Sequence, residues 1–152
     1  GADYAFDPYE ENFAEEVKKI TNGGVKVGIE VTGIGAGLNG ILDCMARFGR
    51  VALLGCTRSS DFTVDYYRKV HGPGISLIGA HTNARPACES YDGWWTEKDD
   101  MLSLARLTAM GRIKLSDIVD EMHSPNEAPQ IYNRLCTEKN FPIVQFDWSK
   151  LQ

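Results

Sequence analysis

The sequence has no basic run, no long apolar run and no closely spaced cysteines. Its 16 Lys and Arg face 21 Asp and Glu, for a net charge of −5. This argues against nucleic-acid binding, because phosphate contacts need clustered positive charge. No apolar stretch approaches the ~18 residues of a membrane span, and the N-terminus lacks the pattern of a signal peptide. We therefore expect no nucleic-acid or membrane partner and a cytoplasmic location.

The sequence also lacks cysteines and histidines at the spacing typical of metal ligands. The four cysteines, Cys44, Cys56, Cys88 and Cys136, form no C-x-x-C pair, and no Cys/His cluster occurs at ligand spacing. A zinc site within this chain is therefore not expected. We predict free thiols in a reducing compartment. We predict no catalytic residue and no metal ligand in this chain.

The first half of the sequence alternates short apolar segments with segments of helical periodicity. Helices are predicted from Glu10 to Ile20 and over Leu38–Phe48. Strands are predicted at Tyr4–Phe6, Val25–Thr32, Val51–Leu54, Phe62–Val64 and Ile75–Ile78. The central strands are continuous apolar runs, a pattern typical of a parallel sheet covered on both faces. The predicted class is α/β, a parallel sheet with helices on both faces.

Beyond Ala80 the residue composition changes. Asparagine, proline, glycine and two adjacent tryptophans predict a long loop over His81–Trp95. The predicted elements that follow are a helix over Thr96–Met110, a strand at Ile118–Met122, a helix over Asn126–Cys136 and a strand at Ile143–Phe146. Trp94 and Trp95 could line a substrate pocket, although packing is the simpler interpretation.

Gly35–Gly40 fits the dinucleotide fingerprint G-x-G-x-x-G directly after a predicted strand. The next strand ends Leu54-Gly55-Cys56-Thr57 without the acid that would hold the ribose, and Asp61 comes too late. Gly33–Gly37 equally resembles the G-x-G-x-G of a methyltransferase that binds S-adenosylmethionine. A tight strand–helix turn is the preferred interpretation, with a methyltransferase-like domain or a non-catalytic Rossmann-like binding module as alternatives.

A series of phrases resembles the zinc-type medium-chain alcohol dehydrogenases, closest to the sorbitol- and threonine-dehydrogenase branch. The phrases are G-A-D-Y at Gly1–Tyr4, F-A-E-E-V-K-K-I-T-N-G-G at Phe13–Gly24, V-G-I-E-V-T-G at Val27–Gly33, G-R-V-A-L-L-G at Gly49–Gly55, I-S-L-I-G-A at Ile75–Ala80 and N-E-A-P-Q-I-Y at Asn126–Tyr132. The resemblance covers essentially the whole chain.

The resemblance implies a C-terminal part of such an enzyme, with a partial Rossmann-type sheet followed by C-terminal elements of the catalytic domain. Residues 1–82 would form the C-terminal half of the nicotinamide-cofactor domain, and residues 83–152 a C-terminal segment of the catalytic domain. The first Rossmann strands, the phosphate fingerprint and the zinc ligands would lie upstream. The intact protein would use NAD or NADP and zinc for reversible hydride transfer, and this chain alone would be inactive.

The resemblance also implies cofactor contacts at three strand ends. They are Val31, Thr32 and Gly33 after one strand; Leu54, Gly55 and Cys56 after the next; and Ala80, His81 and Thr82 after the last. Ligands of parallel sheets bind at the carboxyl ends of strands, which agrees with this placement. A simple turn-forming role is the alternative for each set.

The expected partners are a small alcohol or polyol substrate and further copies of the chain. Family members join subunits through sheet edges, and the resemblance implies a homo-oligomer formed through the edge strand Phe62–Val64. His71 stands among Arg68, Lys69 and Gly72 and is interpreted as a solvated residue. His123 is out of register with the family's histidine and is interpreted as a surface residue. Cys56 is interpreted as a small residue beside the cofactor.

Overall fold

A computed structural model describes residues 2–57 and 59–151. Gly1, which opens the G-A-D-Y phrase and the predicted first domain, and Gln152, which ends the second, lie outside the described residues. The chain divides into two compact units, Gly1–Arg85 and Pro86–Gln152. The division falls close to the predicted boundary after Thr82.

The first unit is built on a three-stranded parallel sheet. Its strands are β1 (Val25–Glu30), β2 (Met45–Leu53) and β3 (Ser76–Gly79), in the order β1-β2-β3. Ile29 lies opposite Ala52, and Ala52 lies opposite Ile78. The predicted parallel α/β sheet is confirmed, and each of the three strands overlaps a predicted apolar segment.

Two α-helices and one π-helical turn accompany this sheet. Helix α1 covers Phe13–Ile20, α2 covers Gly35–Cys44, and the π-helical turn covers Tyr67–His71. In α1, acidic residues occupy the first turn and lysines the last, which matches the helix dipole. Helix α1 packs against α2, and α2 packs against β1 and β2.

The core of this unit lies between α2 and the sheet. It consists of Leu42, Met45, Val51 and Ile75, and Val51 is completely buried. The opposite face of β1 is open: Val27 and Ile29 are each 59% exposed. Apolar burial stabilises about 25 cal/mol per Å², so the α2 face carries most of the hydrophobic stabilisation of this sheet.

The junction of α2 and β2 differs from the prediction. The helix was expected to run to Phe48, but it ends at Cys44 and β2 begins at once at Met45. Met45 pairs with Val25 across the sheet, and Phe48 adopts a positive φ of 61° that no helix allows. Sheet hydrogen bonds therefore replace the last helical turn that the apolar spacing indicated.

Two predicted strands do not form. Tyr4–Phe6 forms no strand. It does not pair with the free edge of β1, which hydrogen-bonds only to β2 among the described strands. Phe62–Val64 lies in an irregular segment, where the Thr63 carbonyl accepts a hydrogen bond from Asn39 Nδ2 at 2.9 Å. A strand hydrogen-bonds to the backbone of a neighbouring strand. Here the Asn39 side chain, not a strand backbone, binds the Thr63 carbonyl.

The second unit combines a two-stranded parallel sheet with two helices. Strands β4 (Glu121–His123) and β5 (Val144–Phe146) pair, and helices α3 and α4 cover Glu97–Ala109 and Ala128–Thr137. Short 3-10 helices lie at Leu115–Ile118, Pro125–Glu127 and Trp148–Lys150. None of the described helices has the length and apolar character needed to cross a membrane.

Most predicted elements of this unit are confirmed, with one shift. Thr96 caps α3 by accepting the Asp99 N–H, and residues 81–95 form the predicted loop with a single bridge between Tyr91 and Trp94. The strand predicted at Ile118–Met122 is displaced, because Ile118 ends a 3-10 helix and β4 begins at Glu121. The sequence pattern of a short apolar run does not distinguish a strand from a short helical segment.

We predict that Gly24→Ala destabilises the protein far more than Gly23→Ala. Both glycines have φ near +115°, so both substitutions strain the backbone. A Cβ on Gly23 meets nothing within 4 Å, whereas one on Gly24 would lie 2.5 Å from the Ala46 nitrogen. The extra overlap should lower the free energy of unfolding by about 1–3 kcal/mol. Equal denaturation midpoints for the two variants would contradict the tight α1–β1 turn.

A cleft at the carboxyl ends of the strands: candidate functional site

A cleft opens where β1 and β2 end. Its volume is about 380 Å³, and it is lined by Thr32, Gly33, Ile34, Gly35, Cys56, Ser59, Asp61 and Phe62. Parallel strands all place their carboxyl ends on one edge, and the helix that follows presents its N-terminus there. The cleft therefore lies where an α/β sheet binds its ligands.

The structure brings two of the three predicted sets together. The backbone N–H groups of Leu54 and Gly55 both donate to the Glu30 carbonyl, at 2.9 and 2.8 Å. Thr32, Gly33 and Cys56 line the cleft. Val31, Leu54 and Gly55 adjoin these residues along the chain but do not line it.

The third predicted set does not reach the cleft. The Ala80 N–H donates to the Leu53 carbonyl at 3.1 Å, which holds the end of β3 beside the end of β2. His81 Nδ1 accepts the Asn83 N–H at 3.1 Å, and Thr82 is exposed. Cofactor contact by Ala80, His81 and Thr82 stays a prediction.

Two glycines allow the ends of β1 and β2 to approach closely. Gly33 has φ +67°, and a Cβ there would lie 2.7 Å from the carbonyl carbon of Cys56. A Cβ on Gly55 would overlap the backbone nitrogen of Gly33. Any larger residue would force the two segments apart, so these glycines determine the width of the cleft floor.

Glu30 is the principal residue that sequence reasoning missed. Its carboxylate is buried, with the residue only 6% exposed, and it accepts hydrogen bonds from Thr32 and Gly33. Burial raises the pKa of Glu30, but these hydrogen bonds outweigh it and hold the pKa below its ordinary value. The one available signal was an acid at the end of the apolar run V-G-I-E-V-T-G.

The Glu30 carboxylate also lies close to the glycine motif Gly35–Gly40. Helix α2 begins within Gly35–Gly40, and a Cβ on Gly37 would lie 2.9 Å from Glu30 Oε1. A negative charge thus already stands beside the first turn of this helix, where a phosphate would otherwise bind. The geometry favours the tight-turn interpretation over a phosphate or methyl-donor cradle.

Five further residues line the cleft that were not predicted as cofactor contacts. Ile34 and Gly35 directly follow the turn after β1, whereas Ser59, Asp61 and Phe62 belong to the segment after Cys56. Phe62, predicted as part of a strand, packs against Gly35, where a Cβ would lie 2.5 Å from the ring. Long-range packing, not local spacing, brings the segment after Cys56 to the site.

A separate polar cluster stands in the second unit. His123 lies between two carboxylates, with Nε2 2.8 Å from Glu121 and Nδ1 2.9 Å from Glu127. Arg134 binds both oxygens of Glu121 and also Glu138. Hydrogen bonds from Arg134 and then His123 lower the pKa of Glu121 to about 2, while Glu121 and Glu127 raise the pKa of His123.

This cluster ties β4 to α4 and to the 3-10 helix between them, because each of its charges is paired. His123, interpreted from the sequence as a surface residue, is instead partly buried between these carboxylates. The second unit also has a hollow of about 240 Å³, to which Trp95 contributes with Ser90, Asp99, Leu102, Ser103 and Arg106. Within residues 2–57 and 59–151, no three His, Cys, Asp or Glu side chains could together hold a metal ion.

A parallel sheet with a cleft at the carboxyl ends of its strands is the arrangement of a Rossmann-like α/β unit. The sequence model of the family "zinc-binding dehydrogenase" matches residues 1–94. The chain therefore belongs to the zinc-binding dehydrogenase family, and the resemblance of its phrases to this family is confirmed.

Individual relatives agree with this assignment. L-threonine 3-dehydrogenase of Pyrococcus horikoshii is 29% identical over 120 residues, which are 78% of this chain and 31% of that protein. The chain thus spans about a third of the length of the curated relatives it matches.

Solved structures show the same fold at lower sequence identity. A protein described as a zinc-binding dehydrogenase from Clostridium scindens has a TM-score of 0.73 and 20% identity, over 99% of this chain and 38% of that one. Benzyl alcohol dehydrogenase from Acinetobacter calcoaceticus has a TM-score of 0.67 and 19% identity, over 91% and 35%. Together they confirm the α/β, Rossmann-like fold.

We predict that His123 stabilises the fold in a pH-dependent way. Its folded pKa is raised above the ordinary 6.5, so its contribution is full below that value and is lost as pH rises through the folded pKa. The melting temperature of His123→Gln should differ most from wild type in mild acid and converge at alkaline pH. His71→Gln, whose ring stacks on Tyr67, is the control. A pH-independent difference for His123→Gln would contradict the prediction.

Proposed function

We propose that the protein is an NAD(P)-dependent, zinc-type alcohol dehydrogenase that transfers a hydride reversibly between a small alcohol or polyol and the nicotinamide. The present chain contributes the later part of the cofactor-binding domain. The observation that carries this proposal is the cleft at the ends of β1 and β2 in a chain of the zinc-binding dehydrogenase family. Residues 83–152 are proposed as a C-terminal segment of the catalytic domain.

The residues of the cleft fit a nicotinamide cofactor. Gly33 and Gly55 keep the floor narrow, and Ser59 offers a hydroxyl group. When bound, the cofactor supplies the carbon that accepts or donates the hydride. The chain's own part is to bind and orient the ribose and nicotinamide side, with Val31, Leu54, Ala80, His81 and Thr82 as proposed further contacts.

Zinc belongs to the proposal for the whole protein. The described residues provide no group of three metal ligands, so none of them is assigned to zinc. All four cysteines carry free thiols, which supports the proposed cytoplasmic location, because disulfides are rare in that compartment.

We predict that Cys56→Tyr weakens the binding of NADH to the full-length protein, whereas Cys136→Tyr does not. Both thiols are exposed, but only Cys56 lines the cleft, where a tyrosine ring would occupy the ligand's volume. A loss of about 1.4 kcal/mol of binding free energy raises the dissociation constant tenfold. We therefore expect the dissociation constant for NADH to rise at least about tenfold in Cys56→Tyr. Binding is measured by the fluorescence of bound NADH.

The same pair of cysteines offers an independent measurement. NADH should slow the alkylation of Cys56 and leave the alkylation of Cys136 unchanged. Protection of both thiols or of neither, together with equal NADH affinities for the two tyrosine variants, would reject the cleft as the cofactor site.

We also propose that the protein is a homo-oligomer paired through Phe62–Val64. The segment forms no strand within its own chain, so pairing with another copy would have to create one. Thr63→Pro removes the backbone donor such pairing needs, whereas Thr63→Ala keeps it. Light scattering should then show a smaller species only for Thr63→Pro, and an unchanged oligomer in that variant would exclude this edge.

A further inference from the structure

Glu30 is a buried charged side chain at the end of β1, with no cationic partner among the described residues. Its carboxylate is held only by the two residues that begin the next turn. Oε1 accepts the Thr32 N–H at 2.7 Å and the Thr32 hydroxyl, and the Gly33 N–H lies 3.1 Å from each oxygen. Among the described residues, all donors to this carboxylate thus come from Thr32 and Gly33.

Burying a carboxylate lowers stability, so a buried carboxylate at this position needs a compensating role, such as fixing the shape of the turn. An apolar residue at this position would continue β1 without the free-energy penalty of burying a charge. Hydrogen bonds from N–H groups to a carboxylate are shorter and stronger than neutral ones. Their directionality fixes Thr32 and Gly33 in one orientation, which an apolar side chain cannot do.

The contacts of the carboxylate reach three walls of the cleft. Thr32 Oγ1 also accepts the Ile34 N–H at 3.3 Å, which links the carboxylate to the residue that precedes α2. On the other side, a Cβ on Gly55 would lie 2.8 Å from Glu30 Oε2. The turn after β1, the start of α2 and the segment after β2 therefore all meet on one side chain.

We propose that Glu30 is a positioning residue of the cofactor cleft: it holds the Thr32–Gly33 turn in the shape that the nicotinamide cofactor requires, without contacting the cofactor itself. This inference rests on the proposed function. Glu30 is absent from the lining of the cleft, and its donors stand between it and the opening. A carboxylate enclosed in this way acts on the ligand only through the turn.

The ionisation state of Glu30 is compatible with this role. Burial raises its pKa, and the hydrogen bonds from Thr32 and Gly33 lower the pKa by more than that. The carboxylate therefore remains an acceptor for all its donors at neutral pH. A proton on it would set a donor against the Gly33 N–H and release the turn.

The test compares Glu30→Gln with wild type in the full-length protein. Glutamine keeps the size of the side chain but turns an amide NH₂ toward an N–H donor. The dissociation constant and the KM for NADH should rise about tenfold, while kcat and the KM for the alcohol substrate change less than about twofold. Glu16→Gln, at a half-exposed position of α1 where the carboxylate pairs with Lys19, is the matched control.

Thr32→Val and Thr32→Ser provide a second test that does not depend on the stability of Glu30→Gln. Valine removes the hydroxyl that links Glu30 to Ile34, and serine retains it. We expect NADH affinity to fall for Thr32→Val and to return toward wild type for Thr32→Ser. Rescue by serine distinguishes control of the turn from a general loss of packing.

The outcomes separate this inference from the function on which it rests. A wild-type protein that binds neither NADH nor NADPH would overturn both. Normal cofactor binding by wild type, Glu30→Gln and Thr32→Val would overturn the positioning role alone. Equal losses in cofactor affinity, alcohol KM and kcat, without rescue by Thr32→Ser, would show a merely structural residue and reject the proposal as well.

Discussion

The close approach of β1 and β2 at their carboxyl ends is the constraint on which the first unit depends. The Glu30 carbonyl receives both Leu54 and Gly55, so the two strands remain joined one step beyond the regular ladder. Two glycines make this approach sterically allowed. Everything that lines the cleft follows from it, because the turn after β1 and the segment after β2 can then share one opening.

The hydrophobic core beneath α2 also holds β2 in place. Val51 is completely buried between its neighbours in the sheet and the side chains of α2. Its position fixes the register of β2 and thereby places Cys56 a few residues later, at the cleft. The open face of β1, with Val27 and Ile29 exposed, adds little to this organisation.

The second unit is organised by different forces. It has few buried apolar residues, with Ile131 as the one such residue of α4, and its order comes largely from paired charges and helix caps. Ser124 and Glu127 form a complete capping box ahead of α4, while Arg134 joins α4 to β4 through Glu121. Exposed ion pairs contribute modestly to stability, so this unit relies on several of them acting together.

The amino-acid sequence alone determined the fold class and most helices and strands, because apolar periodicity and helix-capping residues are local signals. The resemblance of its phrases to known dehydrogenases indicated the family. It also indicated Thr32, Gly33 and Cys56 at the cleft, through strand ends and family phrases. Only the tertiary structure decided that Met45 begins a strand, that Phe62 packs on Gly35, and that Glu30 holds the turn. These features depend on partners distant in sequence or on burial, and neither the spacing nor the type of a single residue encodes them.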